Sequence, residues 1–254
     1  MYQKRVPKSQ KPDNNLYTIY HCHSTLSPKE WYNRDNHRIL SIDPGRKNFC
    51  FRIEYRDSKC IKVEAYEKMD LISNLSDQYS NIDYIYRNVI TILEKYKNLI
   101  LTCNIIIIER QLMINYKMVR FSQHVITYLM MLLKDNNEKS VILEIAPHLK
   151  SKQLNAPKKD IDVKKWSVEY AIDLLNIRND TDSLNIIKKA PKSKKDDLSD
   201  TVIQIEAVFK LFNLPLTTDI YHKEDINVPV NHINPIKINV DLSPFKLSSS
   251  SEKL

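Results

Sequence analysis

At 254 residues the chain suits one domain with appended arms, and its 42% hydrophobic residues are ample for a core. A formal net charge of +8 points to a polyanionic partner. The four scattered cysteines (Cys22, Cys50, Cys60, Cys103) read as reduced core residues rather than a disulfide framework; no run suits a membrane span or a signal peptide; and the single glycine, where ordinary usage gives roughly 18, argues against glycine-rich nucleotide loops.

Residues 1–37 are polar, with Pro7, Pro12 and Pro28 and scattered basic residues among Tyr17, Tyr20, Trp31 and Tyr32. This composition predicts a loosely docked N-terminal arm. His21 and His23 flank Cys22, but a structural zinc site wants four ligands, usually as two spaced pairs, and no second pair follows.

From Arg38 the pattern changes to strands. Ile39–Asp43 predicts the first, Phe49–Tyr55 the second and Cys60–Tyr66 the third, joined closely enough for an antiparallel meander. The chain's one glycine, Gly45, follows Asp43-Pro44, where the proline stops the ladder and the glycine permits a sharp turn. Ile82, Ile85, Val89 and Ile92 recur at helical spacing and predict a helix over 82–96. The unbroken β-branched run Ile105–Ile108 predicts a parallel strand buried on both faces, ending in Glu109. A long helix over Tyr116–Leu133 follows, with His124 packed within it, then a strand over Val141–Ile145 and a shorter helix over Lys164–Leu175. Residues 176–195 read as a polar connection, 196–212 as the last helix, and 213–254, with several prolines and Ser248–Ser251, as an extended or disordered tail.

Asp43 and Glu109 each end a strand in this scheme. On parallel neighbours about 4.8 Å apart, two such carboxylates stand side by side and repel, so a positive group must join them. A hard divalent cation prefers oxygen ligands of this kind. The last helix adds Asp197 and Asp200, three apart and therefore on one face of its first turn. Capping and the helix dipole alone favour aspartates there. Three aspartates within 196–200 exceed that need, and Lys188, Lys189, Lys192, Lys194 and Lys195 directly upstream form a basic cluster suited to phosphate. Two strand-end acids and a helix-borne pair suit a two-metal phosphoryl-transfer site, with ions roughly 3.5–4 Å apart.

The segments I-D-P-G (42–45), I-I-I-I-E-R-Q (105–111), E-I-A-P-H-L-K (144–150), V-K-K-W-S-V-E-Y-A (163–171) and K-K-D-D-L-S-D-T-V (194–202) resemble the successive motifs of RuvC-type Holliday junction resolvases. The resemblance is strongest to the resolvases of poxviruses and other large DNA viruses, and next to the fungal mitochondrial enzyme. It covers residues 38–212 and implies an α/β, RNase H-like mixed sheet, a three-strand antiparallel meander plus parallel strands, flanked by helices. It also implies a homodimer that nicks four-way DNA junctions with two Mg²⁺ ions per site, Mn²⁺ being a substitute. Carried over motif by motif, Asp43, Glu109, Asp197 and Asp200 would be the catalytic acids and metal ligands, with Asp196 a neighbouring alternative to Asp197 and Gln111 a polar position after the glutamate. The family's basic residue near the scissile phosphate matches Lys150 or Lys165. Lys165 is preferred as the catalytic lysine, and Lys150, Lys192, Lys194 and Lys195 are expected to contact DNA.

These expectations place the activity in DNA recombination inside a cell, at a viral replication site in host cytoplasm, with neither a membrane nor a small-molecule cofactor. Two other readings keep the fold: an RNase H-type or transposase-like nuclease, and a non-catalytic junction-binding protein. An actin-like kinase or ATPase also begins with strands and an acidic turn, but needs the glycine-rich phosphate loops this chain lacks.

Overall fold

The computed structural model describes residues 16–22, 32–72, 82–136, 140–157 and 162–221. Expectations for the rest of 1–37 and for the tail from 222 onward, including Trp31, His23 and the serine run, lie outside the described residues.

Six strands form one sheet: β1 (Tyr17–His21), β2 (Asn36–Asp43), β3 (Phe49–Asp57), β4 (Ile61–Met69), β5 (Ile105–Glu109) and β6 (Val141–Ile145), in the spatial order β1-β6-β5-β2-β3-β4. The strands β2, β3 and β4 are the predicted antiparallel meander, and β5 and β6 add in parallel on the other side of β2. Counted from β2, the order is third-second-first-fourth-fifth with only the second strand reversed. That arrangement is the RNase H-like sheet.

The isoleucine run behaves as its composition requires. Ile105 and Ile107 enter one core with Ile39, Val141 and Leu143, while Ile106 and Ile108 enter a second core with Leu40, Ile42, Phe51 and Ile142. Helices α1 (Ile82–Lys95) and α3 (Tyr116–Leu133), with the single turn α2 (Lys97–Ile100) between them, cover the second core through Ile85, Val89, Ile100, Phe121, Val125 and Leu129. Helices α5 (Val163–Ile177), α6 (Thr181–Lys189) and α7 (Lys195–Leu211) cover the first through Leu174, Ile187, Val202 and Ile205. His124 stacks on Tyr86 with ring centroids 4.1 Å apart, a packed histidine as expected. All four cysteines are free; Cys50 and Cys103 are core residues as expected, whereas Cys22 is half-buried and Cys60 is exposed in the turn between β3 and β4.

Three expectations are corrected. Part of the supposed N-terminal arm is a strand: β1 pairs antiparallel with β6 over Tyr17↔Ile145 to His21↔Val141, so the sheet begins well before residue 38. Its five residues carry too little periodicity to announce a strand, and the pairing partner lies over a hundred residues away. The connection 176–195 contains α6, whose N-terminus is capped by the Asp180 carboxylate accepting from Ser183 N at 3.0 Å and whose Leu184 and Ile187 are buried. Past residue 212 the chain forms a further helix, α8 (Thr217–Tyr221), which returns to β4 through the Tyr221 hydroxyl, an acceptor for Ile61 N at 3.0 Å.

Strand β3 also holds a surprise. Alternation puts Arg52, Glu54 and Arg56 on the face toward α7, and all three are at most 1% exposed. Arg52 Nε meets Glu54 Oε2 at 2.7 Å, Arg56 Nη1 meets Glu206 Oε2 at 2.9 Å, and Arg178 Nη1 meets Glu54 Oε2 at 3.2 Å. Asp180 closes on Arg52 at 3.1 Å, so three guanidinium groups face three carboxylates. The arginines hold the Glu54 carboxyl well below the usual carboxylate range, although burial alone would raise it.

Candidate active site

The site is assembled at one end of the sheet. In the parallel register Ile42 lies opposite Ile108, so Asp43 and Glu109 leave neighbouring strands side by side. Pro44 ends β2, and the turn that follows is closed so tightly that a Cβ on Gly45 would lie 2.5 Å from the Asn48 carbonyl oxygen. Gly45 does not have a positive φ. The demand for glycine therefore comes from this close backbone approach.

Helix α7 brings the other two acids. Its packing against β2 and β3 sets its first turn over the strand ends. Asp200 Oδ1 accepts from Ser167 Oγ of α5 at 2.5 Å. Asp196 turns to Lys164, with Nζ to Oδ2 at 2.6 Å, whereas Asp197 Oδ2 is buried with no hydrogen-bond partner.

The lysine among these acids is Lys150. It stands on α4 (Leu149–Gln153), the single turn that follows β6 and Pro147, and is only 7% exposed. Its ammonium bonds Glu109 Oε2 and lies 2.6 Å from Asp200 Oδ2. The preferred candidate, Lys165, is not brought to the acids: it is exposed on α5 and pairs with Glu169 one turn on, at 3.6 Å. Adjacent residues on a helix point about 100° apart, and here Lys164, not Lys165, faces the α7 aspartates.

A polar chain fixes the arrangement. Ser41 Oγ donates to Gln204 Oε1 at 2.9 Å, and Gln204 Nε2 donates to Glu109 Oε2 at 3.2 Å. Sequence reasoning missed Ser41, Gln204 and Ser167. Ser167 lies within a quoted motif, but Ser41 and Gln204 look like ordinary polar interruptions of apolar runs.

Burial, then the charges of Glu109 and Asp200, push the Asp43 carboxyl well above its ordinary range. Burial and the Asp200 charge raise Glu109 despite Lys150, and burial with Asp196 lifts Asp197 to about 6. The cluster therefore holds more negative charge than its one buried lysine balances. Among the described residues no three carboxylates already form a cage for an ion. The donor chemistry nevertheless fits a hard divalent cation: all four acids offer oxygen, and the Asp197 oxygen is buried without a partner.

The acids line a cleft of about 470 Å³ whose rim carries Arg46, Lys47 and Lys164. Gln111 also lines it, its Nε2 donating to the Glu109 carbonyl at 3.3 Å. Lys192 and Lys194 sit in a short 3₁₀ turn before α7, and Lys195 opens the helix; none of the three lines the cleft. No described helix is long and apolar enough to cross a membrane.

No protein-family model matches the chain. Over 121 residues it is 33% identical to "Uncharacterized protein 97L" of Invertebrate iridescent virus 3, a match covering 47% of this chain and 54% of that protein. The chain thus spans about half the length of this viral relative. Among solved structures it is similar to the yeast mitochondrial resolvase Ydc2, at 16% identity and a TM-score of 0.48 over 73% of this chain and 82% of that one. It is also similar to the fowlpox virus resolvase in complex with junction DNA, at 21% identity and a TM-score of 0.43, over 70% and 99% of the two chains. A third is Thermus thermophilus RuvC with a Holliday junction substrate, at 14% identity and a TM-score of 0.42, over 69% and 96%. All three are Holliday junction resolvases.

Proposed function

We propose that this chain is a structure-specific endonuclease that resolves four-way DNA junctions with Mg²⁺, or Mn²⁺ in its place, acting as a homodimer. The observation that carries this reading is the meeting of four motif acids, Asp43, Glu109, Asp197 and Asp200, around one buried lysine in a cleft that Arg46, Lys47 and Lys164 also line. Those acids arrive on β2, β5 and α7, in the order of the resolvase motifs.

Asp43, Glu109, Asp197 and Asp200 would hold the cation. When bound, it would supply Lewis-acid stabilisation of the charge that develops on the phosphate. The chain's own residues do the rest. Arg46, Lys47 and Lys164 line the rim where a DNA backbone enters, and recognise charge and shape rather than bases. Ser41, Gln204 and Ser167 hold Glu109 and Asp200 in fixed orientation, so little reorganisation is needed when substrate arrives.

Asp43→Asn tests the reading. With a synthetic mobile junction and Mg²⁺, the wild-type chain should give symmetric nicks. The variant should lose at least about a hundredfold in rate while binding the junction nearly as tightly. Retained cleavage would remove Asp43 from the site. Preference for an RNA–DNA hybrid or a plain duplex over the junction would reassign the substrate.

A further inference from the structure

A cation already sits where the site's ligands converge. Lys150 bonds oxygens of Glu109 and Asp200, which come from a strand and a helix far apart in sequence, and its side chain is almost wholly enclosed. Both oxygens belong to acids of the candidate metal site. Their remaining bonds, from Gln204 to Glu109 and from Ser167 to Asp200, leave the Lys150 ammonium as their only charged partner among the described residues. An ammonium on Glu109 Oε2 and Asp200 Oδ2 occupies lone pairs that a divalent ion would use, and the two positive charges repel at close range, so they compete for the site. The flexible four-carbon stem lets a lysine yield, and Lys150 borders the open cleft that adjoins the acids.

We propose that Lys150 is an internal counter-ion that holds the acids together before a divalent cation binds and is displaced when it does, its ammonium then swinging into the cleft to meet a DNA phosphate. The exchange sets the chain's cation affinity: loading the site requires expelling a bound charge. It also couples cation to DNA, since a phosphate in the cleft receives the expelled ammonium. Linkage makes that coupling reciprocal, so DNA tightens cation binding by the factor with which the cation tightens DNA binding. The inference rests on reading the four acids as a cation site.

Calorimetric titration of the full chain with Ca²⁺, in the absence of DNA, tests it. Ca²⁺ takes oxygen ligands and needs no turnover to be read. Lys150→Met and Lys150→Gln should each bind Ca²⁺ at least tenfold more tightly than wild type. Without the ion they should melt at lower temperature, and with it they should gain more in melting temperature than wild type does. Lys150→Arg, which keeps the charge, should stay at or below wild-type affinity. The glutamine variant preserves the test if the methionine variant fails to fold. Wild type and both neutral variants binding Ca²⁺ alike would overturn the exchange and leave the cation site standing. Failure of all of them to bind Ca²⁺ would overturn both.

Discussion

At the scale of single residues, the site turns on contacts a sequence cannot display. Lys150 and Lys165 both match the motif lysine and Lys165 is the preferred one, yet Lys150 is buried between two acids and Lys165 is in solvent. The deciding fact is where a single turn, α4, points after β6. Gly45 is a clearer case. As the only glycine it was legible at once, but its reason is the Asn48 carbonyl standing where a Cβ would have to go, not a left-handed backbone. Gly45→Ala should therefore force the turn open and cost about 1–3 kcal/mol. Because the turn carries Asp43 at its start and Arg46 and Lys47 beyond, cleavage should fall as well. A urea midpoint and junction-cleavage rate both equal to wild type would show that the turn yields without consequence.

At the scale of elements, strong periodicity was read well. The isoleucines of β5, the stripe of α3 and the strand β6 occupy the residues their patterns indicate. Elements defined by a distant partner were not legible: β1 exists because β6 offers an edge, and α6 because Asp180 caps it and two apolar residues find the core. Strand β3 misleads in another way. Its charged residues alternate as if one face met water, but that face meets arginine and glutamate from elsewhere in the chain. Glu54 touches three guanidinium groups, those of Arg52, Arg56 and Arg178. Removing its charge leaves them facing one another, and breaking a buried pair costs about 3–5 kcal/mol. Glu54→Gln should lower the urea midpoint accordingly with an unchanged slope; a loss under about 1 kcal/mol would mean that water or rearrangement compensates.

At the scale of the whole molecule, these buried charges set the response to acid. Burial, with the charges of Arg34 and Arg56, holds the His37 imidazole at about 4. Its folded value lies below the free value of about 6.5, so the unfolded chain binds more protons between the two. Stability from this source is complete above about pH 6.5 and declines as pH falls toward 4, by about 3 kcal/mol in all. Glu54 and Asp180 are shifted down as well, so their contribution is intact above the free carboxylate value near 4 and is lost only below it. Asp43, Glu109 and Asp197 are shifted up and so work in the opposite sense over the same range, offsetting the His37 loss until the steep decline below about pH 4. In urea unfolding, His37→Gln should remove the His37 loss between about pH 6.5 and 4 and so raise the slope of stability toward acid relative to wild type, while sparing the steep decline; identical pH profiles in the two proteins would take His37 out of the acid response.

The acids of the site lie at positions 43, 109, 197 and 200, and the helix that delivers the last two is also the spine of one core. A growing polypeptide leaves the ribosome from its N-terminal end, so β2 and β5 emerge with their carboxylates long before α7 exists to cover them. Until α7 docks, one face of the sheet lacks its central helix and the cluster lacks half its acids. Nascent chains and fragments cut short of α7 thus carry only half of the acid cluster, and on the proposed reading cleavage of DNA would begin only with completion of the core.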